Sequence, residues 1–288
     1  MSTPAAPNRL PDFVIIGAMK SGTSTLQAQL AAQPGIFMTT PKEPNFFSDD
    51  AVFARGPDWY SSLFAAAGPE DLRGEASTHY TKLPTYPHTV ARMADLLAAP
   101  KLIYVIRNPV ERAVSHYIHD WSEGRTECDP ATAFQRHPEL VAYSRYPMQL
   151  APFIDRYGPD RIHLTSLEQL AADPDKELQR IGAHIGAPAP LVWDHAMAAK
   201  NVSASRFRHL PLHQLVVRNP VARALRRTLV PKDMRRRIRK TRARTDRPDL
   251  PDDLRQDLEA LFRPDRAALA QLFPDHPALD LCYGAAQS

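Results

Sequence analysis

Long apolar runs are missing from this sequence. No stretch approaches the roughly 18 residues that cross a membrane as a helix. The opening MSTPAAPNRLPD also lacks the apolar core of a secretory leader. A cytoplasmic protein is the expectation. Cysteine is nearly absent. Cys128 and Cys282 have no metal-ligand spacing, which argues for unpaired thiols in a reducing compartment. Glycine is scarce, at 11 residues against 28 prolines, so irregular connections should be frequent. No acidic residue closes an apolar strand as a Mg²⁺-holding Walker B carboxylate would. No metal site is expected.

What is present suits a globular chain. Apolar residues make up 43% of the 288 and charged residues 24%, enough for one large domain or two small ones. The charge is lopsided. Between Arg206 and Arg247, 15 Lys or Arg stand against two acids, while the remainder carries 21 basic and 30 acidic residues. Such a block suits an anionic partner. It could line an electropositive cleft, dock on nucleic acid or an anionic membrane surface, or form a solvated helical face. Phe207 is its sole aromatic, so no stacking platform is apparent and nucleic acid is not the expected partner.

The pattern of elements is α/β. Residues 1–11 read as disordered and 12–288 as a single domain. Phe13–Ile16, Ile36–Met38, Lys101–Ile106 and Arg161–Leu164 read as strands. Arg73–Ser77 reads as a strand end or loop. Helices are expected over about 23–33, 58–67, 85–98, 110–121, 146–157 and 174–185. Two more are expected from Pro251 and from near Pro264, the latter ending at Phe273. The basic block has helical stretches at 212–229 and 231–240. Strands alternating with helices predict a parallel sheet covered by helices on both faces, with a helical, basic C-terminal portion.

The stretch DFVIIGAMKSGTSTL (12–26) organises the rest. It is P-loop-like in plan: a buried strand, a turn bracketed by Gly17 and Gly22, and a helix opening at Thr23. Free backbone N–H groups and the helix dipole at such a start attract anions. Lys20 adds a full charge, and Ser21, Thr23, Ser24 and Thr25 add hydroxyl donors. Lys20 lies inside the turn, and Thr23 stands where a Walker A motif has its lysine. The second strand–turn–helix unit ends at Arg107-Asn108-Pro109. Arg107 stands at that strand's C-terminal end and Ser115 about two helical turns into the next helix.

IIGAMKSGTSTL resembles the 5′-phosphosulfate loop of sulfotransferases that use 3′-phosphoadenosine 5′-phosphosulfate (PAPS). RNPVERAVSHY (107–117) resembles their 3′-phosphate motif. KEPNFF (42–47) resembles the loop that carries the catalytic Glu in the glycosaminoglycan-type branch, and GEASTHY (74–80) resembles the cleft-lining motif that follows. The likeness runs from about residue 12 to 187. It implies a P-loop-like sheet and a PAPS site at Lys20, Ser21, Gly22, Thr23, Ser24, Thr25, Arg107 and Ser115. Lys240 and Arg242 imperfectly match a Lys-Gly-Arg loop over the nucleotide. Lys42, Glu75, Ser77 and His79 would meet the acceptor. The implied reaction moves a sulfuryl group to a hydroxyl or amine on a carbohydrate or glycosylated metabolite. Glu43 would act as base and Lys20 at the leaving oxygen, without a metal. The acceptor would be a small molecule or an oligosaccharide, anionic if the basic block lines the cleft, and peripheral membrane contact stays open. Ala76 departs from the pattern, because many of these enzymes carry Lys there. The paired cysteines of the Golgi enzymes are missing too. A P-loop-like nucleotide kinase or NTPase and a nucleic-acid-binding module are the alternatives.

Overall fold

Five parallel strands build the sheet in the order β2-β3-β1-β4-β5. They are β1 (Phe13–Gly17), β2 (Ile36–Met38), β3 (Leu72–Ala76), β4 (Lys101–Ile106) and β5 (Ile162–Ser166). The computed structural model describes residues 9–126, 129–197 and 248–284. The basic block with Lys240 and Arg242, its expected helices, and Cys128 lie outside the described residues.

Side chains alternate across a strand, so β1 and β4 feed two cores. Val14, Ile16, Leu102, Tyr104 and Ile106 join Phe46, Phe47, Tyr60, Tyr146, Phe153 and Leu269 on one face. Phe13, Ile15, Ile103 and Val105 meet Leu26, Leu30, Leu178 and Ile181 on the other. The second face is covered by helix α1 (Thr23–Ala31) and by the Pro174–Ile185 helix. Both runs are apolar throughout because both of their faces are buried.

Several elements differ from expectation. Leu72–Ala76 is a full strand between β2 and β1. Its polar residues are accommodated locally: Arg73 forks onto Asp12 at 2.9 Å, and Glu75 is wholly buried. The Asp58 segment is a shorter helix, Gly56–Ser62, and the 85–98 segment contracts to Thr89–Leu96. The chain does not break at Pro264. A single helix runs Asp252–Leu272, held in place by buried Phe262 and Leu269 and by Asp265 on Arg145 at 2.7 Å. This packing outweighs the bond that Pro264 cannot donate. Helices Leu167–Ala172 and Pro277–Tyr283 were not anticipated. Arg9 is already tied down through its N–H on Ser61 Oγ at 2.9 Å, and Pro11 is buried, so residues 9–11 are packed.

Candidate active site

The loops after β1, β2, β3 and β4 leave the same edge of a parallel sheet, its C-terminal edge. The order reverses there around β1, the position where open α/β sheets place their ligands.

The β1 loop is shaped by two left-handed glycines. At Gly17 (φ 155°) a Cβ would fall 2.0 Å from Thr81 Oγ1, and at Gly22 (φ 88°) one would fall 2.8 Å from Leu167 Cδ1. Lys20 is also left-handed, at φ 70°. Gly22 caps α1 without any side-chain bond, and no acid lies in the first turn. The adjacent Ser21 Oγ is fully buried and has no partner among the described residues. An open helix start beside an orphaned buried hydroxyl fits a phosphate or sulfonate group. Thr23 is buried, Thr25 half-buried and Ser24 exposed. Burial lowers the Lys20 pKa; Asp120 opposes that shift, and Arg107, Arg112 and Arg125 add to it.

The β4 loop is fixed independently. Tyr146 OH accepts from Arg107 N at 3.2 Å and donates to Arg107 O at 2.7 Å. Asn108 Oδ1 caps the Pro109–Ser122 helix at Glu111 N (3.0 Å), and Asn108 Nδ2 donates to Cys282 O (3.0 Å). The Arg107 guanidinium lies 3.6 Å from Glu111, a loose pairing that leaves donors for an anion. Ser115 is half-buried on the same helix.

The β2 loop carries Glu43 back toward α1. Glu43 N donates to Ala76 O (2.9 Å), and Asn45 N donates to Ser77 Oγ (3.0 Å). Both residues have positive φ, and Phe46 below them stacks on Tyr60 at 4.5 Å. Glu43 Oε1 accepts from Lys42 Nζ (2.9 Å) and Thr78 Oγ1 (3.1 Å). The same Lys42 Nζ reaches Thr23 Oγ1 at 3.4 Å, which ties Glu43 to the helix start. Burial pushes the Glu43 pKa up, but Lys42 and Thr78 outweigh it and the net shift is downward. Glu43 is thus ionised at neutral pH.

The remaining expected acceptor residues separate. Glu75 is 0% exposed in the structure. Tyr60, Tyr80 and Ser77 approach its carboxyl, yet neither oxygen has a hydrogen bond of good geometry among the described residues. Burial pushes its pKa up to about 7. Ser77 is also fully buried and acts on the Asn45 backbone instead. His79 is half-buried, stacks on Tyr86 at 4.8 Å, and is pushed down to about 4 by burial. Lys82, Asp120 and Arg125 were missed: no motif marks them, and only the fold brings their charges near Lys20 and Glu43.

A family profile for the sulfotransferase domain matches residues 10–272. The membrane-associated sulfotransferase kil1 of Dictyostelium discoideum is 37% identical over 111 residues, covering 38% of this chain and 22% of that protein. Heparan sulfate glucosamine 3-O-sulfotransferase 3B1 of Mus musculus is 30% identical over 194 residues, covering 63% of this chain and 47% of that protein. The match thus takes in half or less of each of these relatives. A solved sulfotransferase from Alicyclobacillus acidocaldarius is 25% identical with a TM-score of 0.65, covering 94% of this chain and 98% of that one. With the profile spanning nearly the whole chain, the anion-shaped loop after β1 has its explanation: the chain belongs to the sulfotransferase domain family.

Proposed function

We propose that the chain transfers a sulfuryl group from PAPS to a hydroxyl or amine of a carbohydrate or glycosylated acceptor. The bridge from Thr23 through Lys42 to Glu43 carries this reading. It sets an ionised carboxylate beside a helix start that is uncapped and rich in hydroxyls. When bound, PAPS supplies an activated sulfuryl group and adenosine 3′,5′-bisphosphate (PAP) as its leaving group. The N–H groups of α1 with Lys20, Ser21, Gly22, Thr23, Ser24 and Thr25 would hold the 5′ end, and Arg107 with Ser115 the 3′-phosphate. Lys240 and Arg242 are proposed to contribute from outside the described residues.

Glu43 would take the acceptor proton. Its lowered pKa keeps it in the base form at neutral pH, while limiting its proton affinity. Lys20 and the α1 dipole would stabilise negative charge growing on the leaving oxygen. Lys42 holds the Glu43 carboxylate in place. The test is transfer of radiolabelled sulfate from PAPS into a panel of oligosaccharide, glycolipid and small hydroxyl acceptors. Mass spectrometry of the product locates the sulfate. Glu43→Gln should cut turnover by about 10²–10⁴-fold with PAP affinity unchanged in EDTA. Near-normal turnover of this variant would remove Glu43 from the role of base, and Mg²⁺-dependent ATP hydrolysis without sulfate transfer would overturn the reading as a whole.

A further inference from the structure

The corner where β5 passes into the Leu167–Ala172 helix lies against both loops of the proposed donor site. β4 and β5 pair in parallel, with Ile106 opposite Ser166. The residues that follow therefore leave the sheet side by side, Arg107 and Asn108 from one strand and Leu167 and Glu168 from the other. Ser166 Oγ accepts from Gln169 N at 3.0 Å and caps the helix, which fixes Leu167 and Glu168 in its first turn. Leu167 backs the β1 loop: a Cβ at Gly22 would fall 2.8 Å from its Cδ1. Glu168 turns to the β4 loop, where its Oε1 accepts from Asn108 N at 2.9 Å. Its Oε2 accepts from the Cys282 thiol at 3.3 Å. Burial pushes the pKa of that thiol up, so it remains a donor at neutral pH.

Asn108 is thereby committed at every polar group. Its carbonyl accepts from Arg112 N at 2.9 Å, its Oδ1 accepts from Glu111 N, and its Nδ2 donates to Cys282 O. The Arg107 main chain is held on both sides by Tyr146 OH. The Arg107 guanidinium, 3.6 Å from Glu111, is left to meet an anion. The Glu168 carboxylate is spent on an N–H and a thiol. Its charge opposes an incoming phosphate. What it provides is a fixed Asn108 backbone, and with it a fixed origin for the Arg107 side chain.

We propose that Glu168 is a positioning residue for the 3′ end of the donor. Through Asn108 it holds Arg107 at the distance from the β1 loop that a nucleotide phosphorylated at both ends requires. This rests on the sulfotransferase reading. Glu168 acts through Asn108 and Arg107 and not on the nucleotide itself.

The test compares PAP with adenosine 5′-monophosphate (AMP), which lacks only the 3′-phosphate, by calorimetry on the full chain. The unaltered chain should prefer PAP by about tenfold or more. Glu168 is half-buried, so conservative variants should fold. Glu168→Asp keeps the charge but withdraws the carboxylate by about 1.5 Å. PAP affinity should fall by about three- to tenfold while AMP affinity changes by less than about twofold. With PAPS, the same variant should raise KM and leave kcat within about twofold. Glu168→Gln keeps the length and an acceptor oxygen and removes the charge, so the preference for PAP should be kept or rise. The proposal is overturned if Glu168→Asp retains the full preference. It is also overturned if Glu168→Asp weakens both nucleotides alike, since general damage to the corner would disturb Leu167 against Gly22 as well. Loss of the preference in Glu168→Gln would overturn it too, because the charge and not the tie to Asn108 would then be the cause. An unaltered chain that fails to bind PAP, or binds PAP and AMP alike, would overturn the reading of the Arg107 loop as the 3′-phosphate site, and the proposal with it.

Discussion

Glu75→Gln isolates the energetics of the carboxyl buried in β3. Its pKa stands at about 7 in the folded chain against a model-compound value of 4.5. The cause is burial, and full burial means that no solvent screening discounts it. Between these two pH values the unfolded chain has released the Glu75 proton and the folded chain still holds it. The native state binds more protons there, so stability falls as pH rises through the window. Above pH 7 the accumulated loss is about 3 kcal/mol, at about 1.4 kcal/mol for each pKa unit. Glutamine fills the same space and carries no charge at any pH. The variant should therefore differ little from the unaltered chain near pH 4.5 and be more stable by about 3 kcal/mol at pH 8. Urea unfolding of both chains at the two pH values measures this, and taking the difference between chains cancels the titrating groups that do not interact with Glu75. An equal effect at pH 4.5 and pH 8, or a variant that is less stable at pH 8, would refute a neutral Glu75 in the folded state.

Two further substitutions probe the loops around the site. Gly17→Ala would set a Cβ 2.0 Å from Thr81 Oγ1, and that hydroxyl cannot retreat without losing its 2.9 Å bond to Ile16 O. A loss of about 2–4 kcal/mol in unfolding free energy is expected, together with weakened PAP binding. Ser77→Ala removes the acceptor for Asn45 N. It should lower stability by about 1 kcal/mol and lower kcat with little change in PAP affinity, as steady-state kinetics and calorimetry would show.

The elements that could be read from sequence carry their signal locally. β1 and β4 are unbroken apolar runs. Asn108 and Asp173 cap their helices through their own side chains. β3 was obscured because Arg73 and Glu75 interrupt its apolar pattern, and the reasons it still forms a strand are distant in sequence: Asp12 for one, burial beside Tyr60 and Tyr80 for the other. Pro264 misled in the opposite direction, since a local rule gave way to packing by Phe262 and Leu269 and to the Arg145 pair. Within the site, the β1 loop was legible from its glycines, lysine and hydroxyls. Lys82 was not, because a lysine is ordinary text until the fold buries it within reach of the charges of Glu43 and Asp120. Glu75 and Ser77 lie in the expected segment, and both are fully buried there.

The Asn108 loop is secured by the carbonyl of Cys282, 174 residues further along the chain, and by Glu168, whose Oε1 accepts from Asn108 N at 2.9 Å and whose Oε2 faces the Cys282 thiol at 3.3 Å. During synthesis on the ribosome, all five strands emerge long before that carbonyl does. A nascent chain halted after β5 would hold the sheet with the Arg107 loop tied by Tyr146 but not yet by Cys282. The last tie to that loop therefore arrives when Pro277–Tyr283 docks behind it.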